Sequence, residues 1–174
     1  MSQPLPVFIA PLRLCEMRTV LSGELGLDDM DRLAEFLSDQ EGEVVLSLSF
    51  DEDARGIPFA VMTLDARLRL VCQRCLGPWE TRVRREVRLG FTREPGVAEL
   101  IAEHGYEPVV LERNELKLRD LVEDELLLAL PMIPKHERED CQPRLGSDER
   151  HDDESPAREN PFAVLAQLKG RKEH

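Results

Sequence analysis

Between residues 61 and 91 the chain alternates apolar and polar side chains in two runs, separated by Cys72-Gln73-Arg74-Cys75-Leu76-Gly77-Pro78. A period of two places successive side chains on opposite faces of an extended strand. In the first run Met62, Leu64, Ala66, Leu68 and Leu70 share one face, and Thr63, Asp65, Arg67 and Arg69 the other. In the second, Trp79, Thr81, Val83, Val87, Leu89 and Phe91 share a phase that Arg85 alone interrupts, while Glu80, Arg82, Arg84, Glu86 and Arg88 take the opposite one. A Gly-Pro turn joins the runs, so the pattern predicts a long hairpin, buried on one face and carrying two cysteines at its tip.

The rest of the chain must cover that hairpin's apolar face. Residues 43–50 alternate in the same way, with Val44, Leu46, Leu48 and Phe50 on one side. Three successive strands, each polar on one face, imply an antiparallel sheet with one solvated side. Short strands are expected at 19–25 and 107–111, an edge strand at 7–14 interrupted by Pro11, and an insert or short helix at 94–106. Asp28 is placed to cap a helix of about three turns whose buried stripe would be Met30, Leu33, Ala34 and Leu37. Residues 116–130 read as the strongest helix, with Leu118, Leu121, Val122, Leu126, Leu128 and Ala129 on one face.

Glu125 falls within that face, whereas Asp120, Glu123 and Asp124 fall outside it and read as helix surface. A carboxylate on a buried face needs a partner. Either Glu125 reaches water at the margin, or it pairs with a sheet arginine, for which out-of-phase Arg85 is the candidate. Pro131 and Pro134 end the helix. Residues 142–159 are mostly charge, Pro, Gly and Ser and are expected to form a disordered acidic linker. Asn160-Pro161 then opens a short helix within 160–174. The expected architecture is α+β: one domain over 1–141, built as an antiparallel β-sheet or partly open barrel with two packed helices, followed by the acidic tail and its short terminal helix.

Charge sharpens the functional reading. The net charge of −12 argues against a protein that coats nucleic acid non-specifically. Residues 67–93 nevertheless hold eight arginines against Glu80 and Glu86. Arg67, Arg69, Arg82, Arg84 and Arg88 would share the solvent face of the hairpin, with Arg74 at its tip. These six are the candidate RNA-binding residues, and a merely solvated strand face is the plainer alternative. Trp79 could stack on an unpaired base, although a core position suits it better. No run reaches 18 apolar residues, so no transmembrane helix or membrane partner is expected. The N-terminus lacks the basic region of a signal peptide, which points to the cytoplasm and to reduced cysteines.

Cys72-x2-Cys75 and His136-x4-Cys141 together supply a Cys3His donor set. That composition suits one structural zinc ion, and four protein ligands would leave no open coordination position for catalysis. Unmetallated thiols at a turn, with a surface histidine nearby, are the alternative. A redox role for Cys-x-x-Cys would require the first cysteine at a helix N-terminus, whereas both flanks read as strands. Cys15 stands alone and reads as a small buried hydrophobe. No phosphate-binding glycine loop, nucleophile elbow or H-E-x-x-H motif occurs, and the chain is not expected to be an enzyme.

Four segments together resemble the YceD family, the large ribosomal RNA subunit accumulation proteins of bacteria. They are Cys72-Gln73-Arg74-Cys75, the run from Leu121-Val122-Glu123-Asp124-Glu125 to Pro131, His136-x4-Cys141, and Asn160-Pro161-Phe162-Ala163-Val164-Leu165-Ala166-x-Leu168-Lys169. The resemblance implies a role in synthesis, processing or stability of 23S ribosomal RNA, with that RNA or a large-subunit assembly intermediate as partner. It transfers no catalytic residue. The contact would be made through the arginine face. Otherwise the chain would serve as an acidic adaptor for a basic ribosomal protein or assembly factor, without touching RNA.

Overall fold

The computed structural model describes residues 4–137 and Cys141. The expected acidic linker and terminal helix therefore lie outside the described residues. The fold is α+β, with a five-stranded sheet in the order β2-β3-β4-β5-β6. The strands are β2 (Val20–Gly26), β3 (Glu43–Glu52), β4 (Pro58–Val71), β5 (Pro78–Thr92) and β6 (Glu107–Val110). The first four pair antiparallel, and β6 adds to β5 in parallel. A separate two-stranded ribbon joins β1 (Phe8–Ile9) to β7 (Leu116–Lys117). The sheet does not close into a barrel. The β4–β5 hairpin is the longest element and its register is continuous, from Phe59 opposite Gly90 to Val71 opposite Pro78.

One face of the sheet is dry. Val44, Leu46, Leu48, Phe50, Met62, Leu64, Leu68, Leu70, Val87, Leu89 and Phe91 are buried there, each on the predicted side of its strand. The helices α1 (Pro11–Glu16), α2 (Asp31–Ala34) and α4 (Leu118–Ala129) supply Cys15, Leu33, Leu118, Val122 and Leu126 to the same core. A single 3₁₀ turn leads into α3 (Ala98–Glu103), which packs beside β5 and β6. Gly90 permits that approach, since a Cβ at this position would lie 2.5 Å from Ile101 Cγ2.

Two expectations are corrected. The segment 7–14 is not an edge strand: only Phe8 and Ile9 are extended, and Pro11 opens α1. A proline at the first helical position has no N–H to lose and a φ already suited to the turn, so it starts a helix here. The helix expected from Asp28 is one turn, Asp31–Ala34, with Met30 rather than Asp28 at its N-cap. The sheet competes for the residues of its later turns. Leu37 forms a β-bridge with Leu70, and the Ser38 N–H donates to the Arg69 carbonyl at 2.7 Å. The stripe residues Met30, Leu33 and Leu37 are buried all the same.

Candidate metal centre and charged face

At the hairpin tip the chain makes a tight knuckle. The Cys72 N–H donates to Gly77 O at 2.9 Å and the Leu76 N–H returns to Cys72 O at 2.9 Å. Leu76 is held at φ +57°, the left-handed region in which Cβ crowds the backbone. The arm after α4 then crosses to the knuckle. Leu130 is extended ahead of Pro131, as the residue before a proline prefers, and the Gln73 N–H fastens the arm through Pro134 O at 2.8 Å.

This crossing brings Cys72, Cys75, His136 and Cys141 together, with one ligand atom from each lying within 4.8 Å of every other. Cys72 Sγ is 3.6 Å from Cys141 Sγ, and His136 Nδ1 is 3.5 Å from Cys75 Sγ and 3.2 Å from Cys141 Sγ. Sulfurs about 2.3 Å from a tetrahedral ion lie about 3.8 Å apart, and sulfur and nitrogen about 3.6 Å apart. The observed separations suit four donors converging on one small ion. Meanwhile His136 Nε2 lies 3.1 Å from the Pro78 carbonyl. Donation of an Nε2 proton to that oxygen leaves Nδ1 as the free lone pair, the usual second contact of a metal-binding histidine.

The electrostatics divide the cluster, since Cys75 is raised: the Gly77 N–H lowers it but is outweighed by Cys141, burial and Cys72. Burial works against a Cys72 thiolate, yet hydrogen bonds from Cys75, Arg74 and His136 bring its pKa down to about 5. The Cys141 pKa is also lowered: burial opposes this, and hydrogen bonds from Arg74 and Cys75 outweigh it. His136 is raised by hydrogen bonds to Cys72 and then Cys141. No helix begins at the Cys-x-x-Cys pair, which sits between β4 and β5, so the setting that a thioredoxin-like thiol needs is absent here. Cys15 is unrelated to this cluster. It is buried, its thiol donates to Phe59 O at 3.3 Å, and burial first of all pushes its pKa up to about 11.

The arginine face assembles in register, but with company. Arg67 stands opposite Arg82, Arg84 opposite Asp65, and Arg69 opposite Glu80. Asp65 accepts from Arg82 at 2.8 and 2.6 Å and from Arg84 at 3.0 Å, and the Arg82 bond first and foremost lowers its pKa to about 2. Arg69 pairs with Asp39 at 2.9 Å and Glu41 at 3.5 Å. Arg88 lies over the rings of Phe59 and Tyr106 at 5.7 and 5.3 Å. Among the described residues, Arg67 has no ion pair. Arg74 does not join this face: its Nη2 donates to His136 O at 3.1 Å beside the cysteine cluster. Trp79 is half-buried and packs against the core.

Of the two glutamates of α4, Glu125 makes the Arg85 pair that its out-of-phase partner suggests, and only Glu123 departs from its sequence reading. Glu125 is buried and pairs with Arg85, whose Nε lies 2.5 Å from Glu125 Oε2. Burial raises its pKa, with Arg85 opposing. Glu123 was expected at the surface and is buried instead. Its Oε1 accepts from the backbone N–H groups of Arg32 at 2.8 Å and Leu33 at 3.0 Å, and its Oε2 accepts from the Arg32 guanidinium. Met30 offers α2 no side-chain cap, so a carboxylate from another helix fills that role. No sequence signal points to it, because Asp28 reads as the cap of that helix. Burial acts to raise the Glu123 pKa, but the N–H of Leu33 and the groups of Arg32 win and lower it.

Comparison with known proteins places this geometry. The family model described as "Large ribosomal RNA subunit accumulation protein YceD" matches residues 60–169, which cover nearly all of the hairpin, α4 and the Cys3His cluster. The Large ribosomal RNA subunit accumulation protein YceD of Haemophilus influenzae is 31% identical over 170 residues, covering 95% of this chain and 96% of that protein. No solved structure matches the chain significantly. By both the family model and the near full-length relative, the chain belongs to the YceD family.

Proposed function

We propose that this protein acts in the cytoplasm in accumulation of the large-subunit ribosomal RNA, as a non-catalytic factor that reaches the assembling subunit through a basic ribosomal protein or assembly factor. A structural zinc ion held by Cys72, Cys75, His136 and Cys141 is part of this reading, since thiolate-rich tetrahedral sites select zinc and four protein ligands close it to substrate. Among the described residues no helix is long and apolar enough to cross a membrane. The process is suggested by the names of the family and its relative. The kind of contact rests on one observation about charge.

The outward positions of β2–β5 carry Arg67, Arg69, Arg82, Arg84 and Arg88 against Glu24, Glu43, Asp51, Asp65, Glu80 and Glu86. The excess of arginines along residues 67–93 is therefore offset once β2 and β3 lie beside the hairpin. A polyanion gains most from an unopposed basic surface, because its binding is driven by counterion release. Interleaved charges of both signs suit a protein partner of complementary pattern, and a net charge of −12 favours a basic one.

Direct RNA contact is the second reading, favoured by Arg67, which has no ion pair among the described residues. Exposed pairs such as Arg84–Asp65 are also weak enough for a phosphate to replace them. One comparison separates the two. The full chain and its Arg67, Arg69, Arg82 and Arg84 charge-reversal variant are titrated with protein-free 23S ribosomal RNA and with purified basic large-subunit proteins. Saturable binding to a basic protein, with weak RNA binding that charge reversal leaves unchanged, supports the adaptor. RNA binding that disappears on reversal, with a log–log salt slope of about −0.7 per phosphate contacted, overturns it in favour of RNA.

A further inference from the structure

Of the two residues between the first pair of ligands, Arg74 is tied by its side chain to the arm. Arg74 sits on the hairpin knuckle, donates to the carbonyl of His136 at 3.1 Å, and hydrogen-bonds the side chain of Cys141. Its guanidinium also lies close enough to Cys72 and Cys75 to interact electrostatically with both. It thus reaches across from the two knuckle ligands to the two arm ligands.

The charge of the donor set gives this placement a purpose. A divalent ion with three thiolates and a neutral imidazole carries one excess negative charge. Cys72 is fully buried and the other three ligands are half-buried, so water neutralises that excess poorly. A guanidinium is always charged, and its planar fork can donate to a thiolate and a carbonyl at once. A lysine supplies the charge from one nitrogen, whose three N–H donors lack the spacing of the planar fork. Backbone N–H groups at the knuckle help the sulfurs, but they bring no net charge.

We propose that Arg74 is the outer partner of a Cys3His zinc centre, offsetting its excess negative charge while fastening residues 131–137 and Cys141 to the hairpin. This rests on the zinc reading above and deepens it. Arg74 is then a positioning residue for the metal and not one of the residues that meets a macromolecular partner.

The test uses the full chain as wild type, Arg74→Lys and Arg74→Gln. Each is loaded with zinc alone and titrated with a chromophoric chelator, and a parallel set is loaded with cobalt(II) to read the thiolate-to-metal absorption. Arg74→Gln is expected to hold zinc about 10- to 100-fold more weakly, the range found when an outer partner of a metal ligand is lost. Arg74→Lys should recover part of the loss, and the cobalt spectrum of both variants should match wild type because the ligands are unchanged. Zinc affinity of Arg74→Gln within about twofold of wild type overturns the proposal. So does an Arg74→Gln chain that stays unfolded in excess zinc, since the sheet core does not contain this side chain. A wild-type chain that takes up no zinc sinks the zinc reading itself, and Arg74 with it. That failure is distinguishable, because a failure of Arg74 alone leaves wild type fully loaded.

Discussion

The stretch from Leu118 to Cys141 is fastened to the body of the protein twice, by opposite chemistries. Along α4, Glu123 and Glu125 grip α2 and β5 with carboxylates that find N–H and guanidinium donors already in the fold. Past Pro131, the arm brings one thiol and one imidazole to the two thiols of the knuckle, with Arg74 and the Pro78 carbonyl beside them. The first attachment is complete in the polypeptide. The second places acceptors against acceptors and becomes attractive when a cation stands between them. Carboxylates can therefore build the core unaided, while on the zinc reading proposed above the clasp adds to the Gln73 and Arg74 contacts only when its ion is bound.

The largest effect should come from separating the two attachments with a chelator. Zinc removal is expected to lower the thermal midpoint by on the order of 10 °C, as loss of a ligand bound far above its dissociation constant does in a domain of this size. The damage should be confined to one side: limited proteolysis ought to gain cleavage within 131–141 while the β3–β5 core stays protected. Cys72→Ser should reproduce both results without chelator. Equal protease resistance of the arm with and without zinc would show that the contacts of Gln73 and Arg74 suffice and that no metal clasp is needed.

Glu125→Ala ranks next, because among the described residues it leaves half-buried Arg85 with only the exposed Glu107 as ion-pair partner. Breaking one side of a buried pair costs about 3 kcal/mol, while replacing both partners with apolar groups is often neutral. Denaturant unfolding of Glu125→Ala should show that loss. The Glu125→Met, Arg85→Met double variant should return to within about 1 kcal/mol of wild type. If single and double variants were equally destabilised, the pair would be contributing shape and not charge.

The two glutamates should also part company in acid. Glu123 has a folded pKa below its unfolded value, so its contribution is present above the ordinary glutamate range and is lost as pH falls through the folded value. Glu125 is raised, so the native state binds its proton more tightly than the unfolded chain does. Its ionisation lowers stability as pH rises through the raised value. Glu123→Gln should cost about 2 kcal/mol at neutral pH, with the deficit shrinking in acid. Glu125→Gln should instead remove the loss that wild type suffers on raising pH. Chemical denaturation of both variants at a series of pH values decides it, and parallel profiles would refute the contrast.

How far the sequence could be read follows the same division. The hairpin and its buried side were legible because strand alternation is local and only Arg85 interrupts it over residues 61–71 and 79–91. The Cys3His set was legible because soft ligands are rare and stand out wherever they fall. Glu125 was legible because it broke a pattern. Glu123 was not: its partners are backbone N–H groups of a one-turn helix 90 residues away, and backbone donors leave no trace in composition. The arginine face was half legible. Its five side chains do share a surface, but Asp65, which lay in plain sight on the same face, claims two of them, and Asp39 and Glu41 claim a third. Local charge counting along one strand overlooks what the neighbouring strands and loops bring.

The smallest effect concerns the knuckle itself. Leu76 holds a left-handed φ of +57° and is 71% exposed, so it accepts strain and buries little in return. For a non-glycine residue that conformation costs about 1 kcal/mol, and Leu76→Gly removes it while adding unfolded-state entropy of nearly the same size. The net gain should be a few tenths of a kcal/mol in denaturant unfolding. What matters is whether it differs between the zinc-loaded and chelated protein. If the hairpin alone imposes the turn, through the Cys72–Gly77 and Leu76–Cys72 hydrogen bonds, the gain is the same in both. If drawing Cys72 and Cys75 onto one ion imposes it, the gain appears only with zinc, and the variant then binds zinc slightly more tightly than wild type. The first outcome makes the knuckle a preformed half of the clasp, ready before the arm or the metal arrives. The second would make the metal a builder of the turn as well as its fastening.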